Sequence, residues 1–208
     1  TISAIGISEP GAGADPAGMK TTAVQDGDDW IINGRKIWIT KGAEADFTIL
    51  MAVTDKNPNG RNGMSAFLVD KGTPGFTVRD GYRNVSHRGY TNAILEFDNC
   101  RVPKEQILGD VHKGFEVANA WLGATRLQVA STCLGRADRA LGHAVQYAAE
   151  RQQFGQSIGK FQGISFKLAD MAMELKAAEL LTREAAWKFD RGTVTEADMS
   201  MAKLKATE

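Results

Sequence analysis

Short apolar runs separated by turn-forming residues fill the first half of the chain. The runs lie at 2–7, 29–40, 47–54, 64–69, 76–78 and 93–97. Clusters rich in Gly, Pro, Asn and Asp separate them at 56–60, 71–75 and 79–81. Many short strands separated by regularly spaced turns predict a β-barrel or β-sandwich. Asn33-Gly34 divides the run 29–40 and tolerates the positive φ angles of a type I′ turn, so this run predicts a hairpin.

The second half carries the spacing of helices. Apolar residues recur every three or four positions from Phe115 to about 151, which predicts one long helix. A second helix is predicted over about 162–190, with Gly192 as its stop signal. Thr195 is a plausible N-cap for a third helix. Helices of roughly 30 residues exceed the usual ~10–14, which favours packing in a bundle.

The distribution of proline places the boundary between the two halves. All five prolines lie at or before Pro103, and proline is disfavoured inside helices. We therefore predict an α+β chain in two segments. Residues 1–103 form an all-β barrel or sandwich domain, and residues 104–208 form the first part of an antiparallel helical bundle.

Charge and composition exclude several classes of protein. Lys and Arg number 25, as do Asp and Glu, and this zero net charge argues against a nucleic-acid binder. No apolar run approaches the roughly 18–20 residues of a transmembrane segment. Cys100 and Cys133 are too few for a disulfide framework, which favours a reducing compartment. The three histidines have no metal-ligand spacing, so no metal site is predicted.

Two candidate sites lie in the β half. Residues 8–15 read SEPGAGAD, and such small residues let main-chain N–H groups approach a phosphate, although local sequence alone favours an ordinary tight turn. Residues 37–42 read IWITKG, in which strand alternation puts Trp38 and Thr40 on one face. A ring beside a hydroxyl suits an aromatic cofactor, but a core Trp next to a common strand Thr is the alternative.

A third candidate site lies in the helical half. Arg126 occupies an apolar helical stretch and needs either an anionic partner or a path to solvent. Arg151 precedes Phe154-Gly155 at the end of the first helix. It is either a cation at a helix C-terminus or an arm that binds phosphate on a neighbouring subunit.

Four segments in this order resemble the acyl-CoA dehydrogenase family of flavoproteins. They are SEPGAGAD at 8–15, INGRKIWIT at 32–40, FDNCRVP at 97–103 and ERQQFG at 150–155. The resemblance extends over essentially all 208 residues. It implies that the chain is an interior fragment holding the family's middle β-domain and the first part of its C-terminal four-helix bundle. The N-terminal helical domain and the end of the bundle would then lie outside this chain.

The resemblance also implies roles for individual residues. FAD would contact Ile7, Ser8, Gly13, Ala14, Trp38, Ile39 and Thr40, with Trp38 against the isoalloxazine ring and the Thr40 hydroxyl near flavin N5. Across a subunit interface it would contact Arg151, Phe154 and Gln162. The acyl-CoA substrate would meet Ala14, Gly123, Ala124, Thr125 and Arg126.

The reaction that the resemblance implies is α,β-desaturation of an acyl-CoA thioester. A carboxylate removes the α-proton, and the β-hydrogen passes as hydride to flavin N5. In a minority branch the base precedes the helix arginine, where this chain has Thr125, so the base is expected beyond Glu208 and the fragment alone is expected to be inactive. Ala14, and Tyr90 in the loop that includes His87, stand where many members have Ser, which leaves the acyl group open.

The resemblance further implies a role in fatty acid metabolism, a homodimer or homotetramer, and an electron-transfer flavoprotein as electron acceptor. Bacterial cytoplasm and mitochondrial matrix are the expected compartments. An acyl-CoA oxidase or another flavin oxidase would use the same scaffold, so it is the first alternative. A non-enzymatic interaction module is the alternative of another class.

Overall fold

The computed structural model describes residues 1–56, 63–86 and 88–208. They form two compact units, Thr1–Asn119 and Ala120–Glu208. A sheet-rich segment is followed by a helical one, which confirms the predicted fold class. Residues 104–119 pack within the first unit, where Ile107 pairs with Phe67. The division into domains after Pro103 stays a prediction.

The first unit is built on one eight-stranded sheet. The strands are β1 (Ser3–Gly6), β2 (Thr22–Asp26), β3 (Asp29–Thr40), β4 (Phe47–Asp55), β5 (Gly63–Asp70), β6 (Phe76–Asp80), β7 (Asn92–Pro103) and β8 (Ile107–Leu108). Their hydrogen-bonded order is β6-β7-β3-β2-β4-β5-β8, with β1 parallel to β4. Within the described residues this path does not close on itself, so the sheet is sandwich-like rather than a closed barrel.

Alternating apolar positions of these strands form the core of the first unit. Trp30 packs edge-to-face on Phe67, with 5.6 Å between ring centroids. Around this pair lie side chains that are almost completely buried, namely Ile32, Leu50, Val69, Leu95 and Val102. Full burial of each such side chain contributes about 1.5–3 kcal/mol. On β4 and β5 the opposite face is buried as well, in a second apolar cluster that includes Met51, Val53 and Met64.

The predicted hairpin at Asn33-Gly34 is wrong. Strand β3 runs through these residues, and the turn is Gly27-Asp28, where Gly27 has a φ of +64°. Gly34 instead permits a close approach between chain segments, because a Cβ atom there would lie 2.7 Å from the Thr21 Cα. The Asn33 side chain accepts a hydrogen bond from the Asn99 main chain at 2.8 Å. The predicted turn at 56–60 lies mostly outside the described residues.

The helices lie where the apolar spacing places them. They are α1 (Gly114–Glu150), α2 (Gln162–Asp190) and α3 (Glu196–Thr207). Between α1 and α2, a small hairpin pairs β9 (Gln152–Gln153) with β10 (Gln156–Ser157). In the second unit α2 packs against α3, and the buried residues of the two helices are Ala178, Thr182, Ala185, Met199 and Ala202.

The start of α3 confirms the predicted N-cap. Thr195 and Asp198 form a reciprocal capping box, in which the Thr195 hydroxyl accepts from the Asp198 main chain at 3.1 Å. The Asp198 carboxylate accepts from the Thr195 main chain at 2.9 Å and from Lys188 at 2.8 Å. The Lys188 ammonium and the Thr195 bonds lower the pKa of Asp198 to about 2, so the cap stays charged at neutral pH.

Replacing Gly34 by Ala tests the close approach to Thr21. The added Cβ atom would lie 2.4 Å from the Thr21 Oγ1 and 2.7 Å from the Thr21 Cα, and the main-chain atom cannot rotate away, so we expect a loss of about 1–3 kcal/mol in the free energy of unfolding. Chemical denaturation measures this loss. Gly11→Ala is the control, because a Cβ there has nothing within 4 Å. An equal, small effect of both substitutions would contradict the packing role of Gly34.

Candidate functional site

The loop that follows β1 is closed by its own main chain. Glu9 N donates to Ala12 O at 2.8 Å, and Ala12 N donates to Glu9 O at 3.2 Å, so Pro10-Gly11 forms the tip of a tight turn. Gly13 and Ala14 follow and are exposed. Because the Ala12 N–H is already bonded, any main-chain cradle for an anion depends on the residues after it.

A buried ion pair fastens this loop to strand β3. The Lys36 Nζ lies 2.8 Å from the Glu9 Oε1, and the two side chains are 0% and 5% exposed. Lys36 also donates to the Ile7 carbonyl at 3.1 Å. The Glu9 carboxylate accepts two further bonds from main-chain N–H groups, those of Lys20 at 2.6 Å and Thr21 at 2.9 Å. Such full satisfaction is what a buried charge needs.

Burial and hydrogen bonding act in opposite directions on the two partners. Burial lowers the pKa of Lys36 below its ordinary value, although Glu9 opposes this. Burial also raises the pKa of Glu9, but hydrogen bonds from Lys36 and the main chain outweigh it and hold that pKa below 4.5. The Glu9 carboxylate is therefore charged near neutral pH, and the Lys36 Nζ faces it as a hydrogen-bond donor. Apolar spacing and short motifs do not predict this pair, although a Lys inside an apolar strand is a signal that a buried partner is needed.

The segment after Lys36 brings the two candidate motifs of the β half together. Ile37 N donates to the Ser8 carbonyl at 2.9 Å, so the loop residue Ser8 adjoins the strand that carries Trp38. Strand β3 contains an irregularity against β7 at this point, between Lys36 and Ile39. Trp38 has a φ of +61°, which is a strained conformation for a bulky residue.

Across this irregularity, the exposure of residues 37–40 alternates as predicted. Trp38 is 50% exposed, and Thr40 is exposed as well. Ile37 and Ile39 point into the core, with 8% and 2% exposure. Trp38 is therefore not a core residue. The buried Ile39 side chain leaves only the main chain of that residue for a ligand.

In the second unit, three predicted residues lie at or beside the β9–β10 hairpin. Its turn is Phe154-Gly155, and both residues have positive φ, +51° and +80°. Phe154 is 92% exposed, and its ring lies 6.2 Å from the ring of Phe161 in an edge-to-face arrangement. Arg151 precedes the hairpin and is exposed, and Gln162 begins α2.

The four predicted residues on α1 do not share one face. Successive helix residues are rotated by about 100°, so the side chains of residues 123–126 point in four different directions around the helix axis. Gly123 faces α3, since a Cβ atom there would lie 3.2 Å from Met199. The Thr125 hydroxyl donates to the Trp121 carbonyl at 2.9 Å. Arg126 is one-third exposed with Glu196 at 3.9 Å, so it has both a solvent path and a distant anion.

Within residues 1–56, 63–86 and 88–208, the other chemistry-bearing groups do not form a site. Burial raises the pKa of the Cys100 thiol to about 11, which leaves it unreactive at neutral pH. His112 bonds to the Thr54 hydroxyl at 2.9 Å, and His87 lies outside the described residues. In the described part of the chain no three His, Cys, Asp or Glu side chains are arranged to hold a metal ion.

The second unit contains a groove of about 600 Å³ between α1 and α2. Its lining includes Leu134, Leu141 and Leu175, and none of the predicted site residues. Among the helices that the structure describes, none has the length and apolar character required to cross a bilayer.

Comparison with protein families identifies both halves. The family model described as Acyl-CoA dehydrogenase, middle domain, matches residues 4–100, and that of the Acyl-CoA dehydrogenase C-terminal domain matches residues 112–208. The chain belongs to the acyl-CoA dehydrogenase family.

Individual relatives agree with this membership. Over 207 residues the chain is 41% identical to a probable acyl-CoA dehydrogenase, YngJ, of Bacillus subtilis. It is 42% identical to the mitochondrial short-chain specific acyl-CoA dehydrogenase of Rattus norvegicus over the same length. These alignments cover 100% of this chain but 54% and 50% of the relatives, so the chain spans about half of their length.

Solved structures share the fold. The structure of butyryl-CoA dehydrogenase from Megasphaera elsdenii superposes with a TM-score of 0.91 at 42% identity, over 98% of this chain and 53% of that one. A chain from a structure reported as an electron transferring flavoprotein of Acidaminococcus fermentans gives 0.90 at 43% identity, over 98% and 53%.

Substituting Glu9 by Gln tests the buried ion pair through its pH dependence. Because the pKa of Glu9 in the folded protein is below 4.5, its stabilisation is complete above that value and is lost as the pH falls through the folded-state pKa. Removing one partner of a buried pair costs about 3–5 kcal/mol. We expect Glu9→Gln to unfold more easily at pH 7, by a margin that shrinks on acidification in denaturation experiments.

The double variant Glu9→Gln, Lys36→Met is the control for this measurement. It removes the uncompensated ammonium, so it should recover part of the stability that Glu9→Gln loses. A difference between wild type and Glu9→Gln that stays constant from pH 7 to pH 3 would show that the carboxylate charge is not the stabilising feature.

Proposed function

We propose that the full-length protein containing this chain binds FAD and oxidises an acyl-CoA thioester to its α,β-unsaturated product. The observation that carries the proposal is the exposed pair Trp38 and Thr40 on the strained segment of β3, hydrogen-bonded through Ile37 to the loop that contains Ser8. Family membership supplies the class of chemistry.

The residues present fit a flavin. A flat heteroaromatic ring system needs a ring to pack against and a hydrogen-bond donor at its edge, and the exposed Trp38 ring and Thr40 hydroxyl supply these. A pyrophosphate needs main-chain N–H groups without bulky side chains, which Gly13 and Ala14 provide. Bound FAD would supply the acceptor for the hydride that leaves the β-carbon.

Each residue of this face has a defined task in the proposal. The Thr40 hydroxyl donates to the cofactor near N5 and so orients the reacting edge. The Trp38 ring covers the isoalloxazine and excludes water. Ile39 contributes through its main chain, and Ile7 and Ser8 border the ring and the phosphates.

We further propose that the second unit contributes residues to the FAD site of another copy of the chain. Phe154, carried on a tight turn and almost wholly exposed, is suited to reach a neighbouring subunit. Arg151 and Gln162 beside it would bind FAD there, with Arg151 pairing with phosphate. A homodimer or homotetramer follows from this role. An electron-transfer flavoprotein would be the electron acceptor, and the compartment would be bacterial cytoplasm or mitochondrial matrix.

The substrate would bind along Ala14, Gly123, Ala124, Thr125 and Arg126 in this proposal. Thr125 has no carboxylate, and its hydroxyl is bonded to a main-chain carbonyl of its own helix. In a minority branch of the family the base stands at this position, so the family resemblance leads us to propose that the base lies late in the bundle, beyond Glu208.

Purification of the full-length protein tests the proposal directly. We expect a yellow protein whose flavin absorbance is bleached by an acyl-CoA under anaerobic conditions. Bleaching followed by rapid reoxidation in air would identify an oxidase. A colourless protein that binds no added FAD would contradict the proposal and favour an interaction module.

Replacing Thr40 by Val tests the hydrogen bond near N5. The substitution preserves shape and removes the donor, so we expect flavin reduction by acyl-CoA to slow by about tenfold, or ~1.4 kcal/mol, with FAD still bound. Stopped-flow absorbance measures the rate. Thr77→Val, at another exposed strand position of the same unit, is the control. Equal rates of flavin reduction in both variants would show that Thr40 is not part of the flavin site.

A further inference from the structure

The Trp38 ring is stacked on a second aromatic ring that the family resemblance does not include. The ring centroids of Trp38 and Tyr82 are 4.2 Å apart, and their planes are inclined by 30°. Both rings are about half exposed, at 50% and 45%. The stack therefore lies at the surface of the first unit and does not belong to its core.

The backbone of Tyr82 is fixed by Asn92. The Asn92 Oδ1 accepts from the Tyr82 N at 2.8 Å, and the Asn92 Nδ2 donates to the Tyr82 carbonyl at 2.7 Å. Gly81 N donates to the Asn92 carbonyl at 2.9 Å. The fit is tight, because a Cβ atom on Gly81 would lie 2.3 Å from the Asn92 Oδ1.

We call the three hydrogen bonds between Asn92 and residues 81–82 the Asn92 clamp. Asn92 links this clamp to the strand that carries Trp38. It begins β7 and lies opposite Thr40 of β3, two residues after Trp38. Asn92 is itself 9% exposed, so the clamp is anchored in the sheet. Tyr82 is thus held at a fixed position relative to the Trp38 backbone by three hydrogen bonds rather than by loop conformation alone.

Trp38 requires such support because the core does not provide it. Its left-handed backbone turns the side chain out of the sheet, where half of its surface meets solvent. A ring in that situation can change its χ angles unless a neighbour covers one face. The stacked Tyr82 covers one face and leaves the remainder of the ring for a ligand.

We propose that Tyr82, clamped by Asn92, is a positioning residue that fixes the ring plane of Trp38 for the cofactor. This inference rests on the proposed function, in which Trp38 packs against the flavin. Tyr82 acts through Trp38, and the phenol ring rather than the hydroxyl is the part that matters. Phe is therefore an acceptable replacement for Tyr82, and an aliphatic residue is not.

The experiment uses the full-length protein labelled with 5-fluorotryptophan and observed by 19F NMR without added ligand. Trp38→Phe identifies the Trp38 line. We expect Tyr82→Leu to shift and broaden that line, because the ring current of Tyr82 is lost and the indole samples several orientations. Tyr82→Phe should leave it near its wild-type position. The lines of Trp30, Trp121 and Trp187 should not move, which shows that each variant folds.

Arg83→Leu is the matched control, since it changes the adjacent exposed residue of the same loop. Asn92→Ala removes the clamp but keeps the ring, and it should broaden the Trp38 line as Tyr82→Leu does. An unchanged Trp38 line in Tyr82→Leu, or the same change in Tyr82→Phe and Tyr82→Leu, would overturn the inference.

A second measurement connects the stack to the cofactor. In the FAD-loaded protein, Tyr82→Leu should slow flavin reduction by acyl-CoA about tenfold with KM little changed, and Tyr82→Phe should restore the rate. If the protein binds no FAD, the proposed function fails while the 19F comparison still decides the stack. If FAD binds and Tyr82→Leu leaves either the Trp38 line or the reduction rate unchanged, only the stack inference fails.

Discussion

The buried ion pair between Lys36 and Glu9 is the constraint on which the candidate site depends. An ammonium group inside a β-sheet unit is tolerated only when its partners are fixed around it. Here those partners are the Glu9 carboxylate and the Ile7 carbonyl, both of which belong to the loop after β1. The cost of leaving either charge unpaired therefore keeps the loop against the strand. Because Glu9 is held in place, the position of the Gly13-Ala14 segment that follows it is restricted as well.

Backbone strain occurs at Trp38, two residues after Lys36 on the same strand, and at a second bulky residue elsewhere in the chain. In the described residues, positive φ angles outside glycine occur at Trp38, Lys41, Asn99, His112 and Phe154. Trp and Phe are the bulky members of this group, for which the conformation is an outlier. Both lie in segments that carry the family resemblance. Strain of this kind persists only where the surroundings over-determine it, and hydrogen bonds at Ile37 and the paired hairpin strands provide that support.

Periodicity was sufficient to predict the helices, most strands and the order of the two halves, since burial follows directly from apolar spacing. It failed at Asn33-Gly34, where the dipeptide suits a turn but the glycine is needed for contact with Thr21, which is distant in the local pattern. The faces of Trp38 and Thr40 were predictable from alternation. The Glu9–Lys36 pair and the Tyr82 stack were not, because they join residues 27 and 44 positions apart through tertiary packing.

The turn at Phe154-Gly155 has an entropic consequence. A large apolar side chain on a disordered loop would lose backbone freedom when it is covered, at a cost of about 1–2 kcal/mol per residue ordered. The β9–β10 pairing has already fixed the Phe154 backbone in the free chain. Any surface that covers Phe154 therefore gains its burial with little ordering cost. The hairpin serves as a preformed anchor rather than as a flexible arm.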